Sequence, residues 1–512
     1  MGRGNIRKNN VKKKFKKNIY KHIINEMNLL NMDDEPEHRV IINKKPRRRY
    51  KHLPLPKKRR RYKTRTMNGM VSNESTGSYV LDFFSMAGSS RGMDTSDAFM
   101  EALEEDEDLS LRALQWLRDI REGSGEREQF RTILKKLDSL RPDLSLKIMK
   151  KIPNLGRFDD LFSYVDPNNR ILAFELIKNE LDANNKLCAK WMPRKGSVAV
   201  ELTKFLKLSP KNYRHLITGI TNVVETQMCK KEFENINFNQ VPSMASSRYQ
   251  KAFSRNAAVK YGKYIQDLST PGSNTKVNAG AIYPYDICKS VRNGLSEVAD
   301  AQWNALPNWI ENASIIPMID VSGSMESGNS IKPMDAAISL GLYITEKNTS
   351  KFKGLYLTFS TESNLRRVQG CNISEKIGNI EDSDWGGSTD LHRAFDKILE
   401  YACRKELKKD DMPKMLLILS DMEFNQCCEF DDSAQEMIRR KFDLKGYKAP
   451  KIVFWNLASC TTTFPVRMDD NDVCSVSGIS PSIMKSVLSD SLDVFSPKQI
   501  MLETLNVERY NI

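Results

Sequence analysis

Residues 315 to 325 read Ile-Ile-Pro-Met-Ile-Asp-Val-Ser-Gly-Ser-Met, an apolar run of strand length that turns polar at one residue. Asp320 closes the run, and Ser322 and Ser324 follow at alternate positions. A short apolar run bounded by turn residues reads as a buried strand. In open α/β sheets, ligands lie in the crevice at the carboxyl ends of such strands. A carboxylate and two hydroxyls placed there can converge on one small site. Oxygen-only ligands of this kind suit hard ions, Mg2+ or Mn2+. Taken alone, the same residues also describe a surface turn rich in Ser and Gly.

Two downstream segments bear on that choice. Trp385-Gly386-Gly387-Ser388-Thr389-Asp390 places hydroxyls on a glycine-rich loop before a helical pattern, and Met415 to Leu419 form a second apolar strand closing on Ser420-Asp421-Met422. Together these residues resemble the von Willebrand factor A (VWA) domain and its metal-ion-dependent adhesion site. That family uses Asp-x-Ser-x-Ser, a Thr from a second loop and an Asp from a third. The resemblance spans roughly residues 309–512 and implies an α/β Rossmann-like fold. It implies Mg2+ or Mn2+ held by Asp320, Ser322, Ser324, Thr389 and Asp421, with Ser388 as a substitute for Thr389. Asp384 and Asp390 are then placed to orient metal-bound water.

Charge divides the chain unevenly. Residues 1–66 carry 23 Lys/Arg against 5 Asp/Glu, a surplus of 18, whereas the remainder carries 57 against 60. The surplus is gathered in Lys12-Lys13-Lys14, Arg47-Arg48-Arg49 and Lys57-Lys58-Arg59-Arg60-Arg61, with little apolar material between. A segment of this composition buries too little surface to offset its ordering entropy, so a disordered basic N-terminal tail is expected over 1–66. Such runs neutralise phosphates and bind nucleic acid without reading sequence, can act as nuclear-import signals, or simply keep a chain soluble. Nine cysteines are scattered without a Cys-x-x-Cys pair, and there are five histidines. This favours reduced thiols over zinc or disulfides. No apolar run is long enough to span a membrane, and the N-terminus lacks a signal-peptide core. The expected location is intracellular, cytoplasmic or nuclear.

From about Ser78 to Asn304 the pattern is helical. Leu109, Leu111, Leu114, Trp116, Leu117 and Ile120 form an amphipathic stripe, broken at Gly123-Ser124-Gly125. Further helices are expected over 126–137, 144–152, 159–164, 170–181, 198–206 and 213–228. Short connections between many helices predict an irregular α-solenoid of HEAT-like repeats over 75–305. Three basic stretches in it are candidate RNA contacts: Arg118, Arg121 and Arg127; Lys190, Trp191, Arg194 and Lys195; and Arg248, Lys251 and Arg255. Cations pair with phosphates, and Trp191 offers a face to an unpaired base. A core Trp191 with locally paired charges is the plainer alternative.

Helical repeats followed by this α/β region resemble the TROVE-plus-VWA architecture of Ro-type RNA-binding proteins, and more specifically a TROVE-like branch found in giant viruses, fungi and plants. The segments carrying it are Arg118-Asp119-Ile120-Arg121 with Gly125-Glu126-Arg127, Gly156-Arg157-Phe158-Asp159-Asp160-Leu161, Phe238 to Ala245, Ile452 to Asn456 and Ser477-Gly478. The resemblance covers about 75–512 and leaves the tail outside it; the Lys/Asn/Ile-rich composition of that tail suits a mimivirus-like source, which would add virion packaging as a location. It implies RNA as the partner, with the VWA domain bridging the ends of a helical ring.

Enzymatic alternatives lack their residues. The haloacid-dehalogenase phosphatase motif needs Asp-x-Asp, and position 322 is Ser, which supplies no acid at neutral pH. There is no Gly-x-x-x-x-Gly-Lys-Ser/Thr loop and no Gly-x-Ser-x-Gly elbow. The expected function is non-catalytic: RNA binding, with the metal site recognising an oxygen of a partner. The alternative is a protein-interaction scaffold whose metal site captures an acidic partner while the tail holds nucleic acid.

Overall fold

The computed structural model describes residues 63–66, 69, 71–221, 223–270, 272–311, 313–326, 332–358, 363–383, 391–423, 432–458, 463–488 and 495–512. The chain divides into two units, residues 1–57 and 58–512, and all described residues belong to the second. The tail candidates Lys12 to Arg61 therefore lie outside the described residues. The expected tail ends earlier than residue 66, because β1 (Lys63–Arg65) pairs antiparallel with β2 (Val71–Asn73). Backbone bonds from Asn73 then join this ribbon to Phe464.

The carboxyl-terminal part is built on six strands: β3 (Ile315–Ile319), β4 (Leu355–Thr358), β5 (Leu365–Arg367), β6 (Met415–Ser420), β7 (Lys451–Asn456) and β8 (Val473–Ser477). Their order is β5-β4-β3-β6-β7-β8, parallel throughout except for β5 at one edge. This is a doubly wound α/β arrangement. The chain steps from β3 outward to β4, then returns to the other side of β3 for β6. Order thus reverses between β3 and β6, and their carboxyl ends frame the crevice where such sheets bind ligands. Every residue of β3, β4, β6 and β8 is buried, as strands covered by helices on both faces require.

The amino-terminal part is helical, and consecutive helices pack as pairs: Ser96–Glu105 with Glu107–Arg118, Glu128–Leu140 with Pro142–Ile148, Pro167–Asp182 with Lys186–Trp191, Ser197–Phe205 with Pro210–Ile220, Ser243–Asn256 with Ala258–Ser269, and Pro284–Arg292 with Ala299–Asn304. This is the helical-repeat pattern expected from the sequence. Two details differ. Phe158–Ser163 is 3-10 rather than α, a short turn tied by the Asp160 carboxylate to the Arg157 N–H at 2.9 Å. The helix expected over 213–228 is split, because Thr221 and the β-branched Val223 are extended.

Both ends of the array meet the α/β part. The first helix, Tyr79–Ala87, packs on β8 and on the helix Pro497–Leu505, and Pro284–Arg292 packs on the helix Pro333–Lys347. The Tyr283 hydroxyl also donates to the Ile120 carbonyl at 3.1 Å, joining the start of the helix Pro284–Arg292 to the loop after the third helix.

Candidate functional site

The sheet's crevice carries the residues singled out after β3 and β6. Asp320 and Asp421 are each 2% exposed. Ser322 donates its N–H to Asp320 Oδ1 at 2.9 Å, and the Ser322 and Ser324 hydroxyls share a hydrogen bond of 3.0 Å. Ser420, absent from the sequence-based ligand set, donates its hydroxyl to Asp320 Oδ2 at 2.7 Å and accepts the Met422 N–H at 3.2 Å. Asp421 accepts the Glu423 N–H at 3.0 Å. The turn is tight enough to force Met422, a buried non-glycine residue, to φ +65°.

Burial pushes the Asp320 carboxyl up to about 6, opposed by the Ser420 and Ser322 hydrogen bonds and reinforced by the negative charge of Asp421. Two buried carboxylates close enough to repel, plus two hydroxyls, form an oxygen-only donor set, and among the described residues no cation pairs with either carboxylate. That set fits a hard divalent cation. Among the described residues no three of His, Cys, Asp and Glu gather as a cluster, so any cation held by the described residues would draw its other protein ligands from the hydroxyls. Thr389, Ser388, Asp384 and Asp390 lie outside the described residues.

The candidate RNA residues separate into two kinds. Arg118 is a correction. It is 1% exposed and paired at 2.7 Å with Asp160, which is wholly buried and also holds Arg131 at 2.6 Å. It faces no solvent phosphate. Gly156 belongs to the same joint: a Cβ there would lie 2.5 Å from Arg118 Nε, so the Gly-Arg-Phe-Asp-Asp segment serves this ion pair. Asp119 accepts Arg509 Nη2 at 2.8 Å and the Tyr510 hydroxyl at 3.0 Å. Ser124 donates to the Gly88 carbonyl at 3.1 Å. Gly478, at φ +103°, passes so near Ser124 and Gly88 that a Cβ would lie 2.9 and 3.1 Å from them. The whole 118–126 segment is the seam between the helical array and the sheet. Arg121 and Arg127 remain exposed, Arg121 reaching the Asn154 carbonyl at 3.3 Å and Arg127 pairing with Glu128 at 2.7 Å.

Trp191 is half-buried, with the Arg157 guanidinium 4.0 Å from its ring centroid and Lys190 Nζ at 5.6 Å. Its face is already taken by a cation, and Lys190 also stands 3.7 Å from Glu225. Arg194 and Lys195 are exposed. Arg248, Lys251 and Arg255 lie three and four residues apart on the helix Ser243–Asn256, which puts them on one face. All three are exposed, and among the described residues none has an acidic partner.

Two family models meet within this chain: residues 177–315 match DUF2828 and residues 314–508 match DUF7788, each described as a domain of unknown function. Their junction falls at the start of β3. An uncharacterised protein of Acanthamoeba polyphaga mimivirus is 29% identical over 503 residues, covering 86% of both chains. This similarity lies along the resemblance to giant-virus proteins read from the sequence. A search of solved structures finds the crystal structure of the Deinococcus radiodurans Ro protein, with a TM-score of 0.47 and 14% identity, covering 80% of this chain and 99% of that one. Among the described residues no helix is long and apolar enough to cross a membrane.

Proposed function

We propose that this chain is a non-catalytic, Ro-type RNA-binding protein whose helical array carries the RNA, with a VWA-like domain that holds Mg2+ and recognises a partner. The observation that carries the RNA reading is the row Arg248, Lys251 and Arg255: three cations on one helix face, solvent-exposed and, among the described residues, without acids to neutralise them. Holding like charges together without partners is unfavourable in the free protein, and a polyanion relieves that repulsion while releasing counterions. The test is titration of a structured RNA across a salt series. The expected result is a log affinity that falls linearly with log salt, with a shallower slope when the three cations become Ala. An unchanged slope counts against the reading.

A second reading is favoured by the crevice itself. Asp320, Asp421, Ser322 and Ser324 offer oxygen ligands to one cation, whose open position would accept a partner's carboxylate. In that scaffold, capture of an acidic partner is lost in chelator and tolerates salt. Calorimetric titration of Mg2+ into the chelated protein, with Asp320→Ala as the control, measures whether the cation binds there.

A further inference from the structure

At the end of the sheet opposite the crevice, a cleft of about 360 Å³ opens beside the amino ends of β7 and β8. Its floor is apolar. Phe395 comes from the helix Leu391–Arg404, Ile438 from the helix Asp432–Leu444, and Pro450, Ile452 and Val473 from the two strands and the turn before β7. All five are buried. The parallel strands run from this end toward Asp320 and Asp421, so the cleft shares no residue with the candidate metal site.

The rim is charged, with two cations and two acids: Arg439, Asp443, Lys448 and Asp472. Arg439 donates one Nη to Asp472 Oδ2 at 3.1 Å, which leaves other donors of its fork free. Asp472 sits at φ +61°, uncommon for a non-glycine residue, and its N–H donates to the Phe495 carbonyl at 3.0 Å. Asp443 and Lys448 are exposed, and among the described residues neither has an ionic partner. They line one cleft with opposite charges, yet stand too far apart to pair with each other.

An apolar floor under a few placed polar groups is how small-molecule sites are built, and this volume lies at their small end. Charge narrows the class. A nucleotide brings several negative charges to a rim that holds as many acids as bases. A simple carboxylate leaves Asp443 without a partner, and a simple amine leaves Lys448 without one. A zwitterion with an apolar side chain answers both. Its carboxylate suits Arg439 and Lys448, the guanidinium fork matching carboxylate geometry. Its ammonium suits Asp443 and Asp472, and its side chain leaves water against Phe395, Ile438 and Val473.

We infer that this cleft binds a free α-amino acid with an apolar side chain. The experiment titrates the full chain with L-leucine and with L-phenylalanine, read by saturation-transfer NMR. Each is compared with its analogues lacking the ammonium or the carboxylate: 4-methylpentanoate and isopentylamine, 3-phenylpropanoate and phenethylamine. The better-bound amino acid is expected to exceed both of its analogues about tenfold, because each analogue gives up one charged contact. Lys448→Ala should weaken the amino acid about tenfold and spare the amine, and Asp443→Ala should weaken it similarly and spare the carboxylate. Both side chains are exposed, so the melting transition should stay where it is.

No saturable binding of either amino acid at millimolar concentrations would overturn the inference. Equal affinity for an amino acid and its analogues would do the same, since the floor alone would then be binding. Affinities indifferent to both substitutions would also overturn it, because the rim would then select nothing. None of these residues belongs to the crevice or to the basic row, so every outcome leaves the RNA and metal readings where they stand.

Discussion

The segments 118–127 and 186–214 both look basic in the sequence, and they play opposite parts. The first contains three arginines, and it also contains three acids, Asp119, Glu122 and Glu126. Two of those acids are buried, and Arg118 itself is buried against Asp160. The second has eight cations and one acid, and seven of the cations are exposed, Lys190 alone being half-buried beside Glu225. Local balance, more than the presence of arginine, separates charge buried in the fold from charge left exposed. The row at 248–255 obeys the same rule, with three cations and no acid.

Substitutions at the seam are expected to act on the fold. Arg118→Met leaves Asp160 buried with Arg131 as its remaining cation. Removing one member of a buried pair typically costs about 3–5 kcal/mol, and the surviving Arg131 places the loss near the lower figure. Urea unfolding measures it. A stable variant with weakened RNA binding would break the comparison.

The crevice predicts a change of opposite sign. The folded-state value of Asp320 is raised from 3.8 to about 6, so in chelator its contribution to stability is present in acid and lost as pH rises through 6. Asp320→Asn removes the buried charge and should stabilise the chelated protein by roughly 3 kcal/mol at pH 7. The same substitution should abolish any Mg2+-induced rise in Tm. Destabilisation in chelator would contradict the account of an uncompensated carboxylate.

Arg248→Ala, Lys251→Ala and Arg255→Ala together should lower the salt slope of RNA binding by about 2 to 3. Stability should move within about 0.5 kcal/mol per site, because among the described residues these side chains touch nothing acidic. Smallest of all, Trp191→Ala should leave RNA affinity nearly unchanged. A loss of about 1–3 kcal/mol would instead mean that its ring stacks on a base.

Much of this was legible before the structure. β3 and β6 were apparent because each is an apolar run that turns polar at one residue, and the paired helices followed from their periodicity. Ser420 was overlooked although it stands beside Asp421: a hydroxyl that orients a ligand leaves no spacing signature distinct from an ordinary strand end. Arg118 misled because burial is a tertiary fact. Its partner Asp160 lies 42 residues away, and the Gly156-to-Leu161 segment, although it carries the family resemblance, does not by itself reveal that pairing.

The central claim is that the folded body, and not only the basic tail, carries RNA. The most direct test compares the full chain with residues 62–512, a cut that removes the whole Lys57–Arg61 cluster and spares the β1–β2 ribbon, by titrating a structured RNA at several salt concentrations. The account predicts that residues 62–512 retain salt-dependent binding, with a slope reduced by the tail's contribution. Loss of all RNA binding with the tail would contradict it and leave the crevice as the site to pursue.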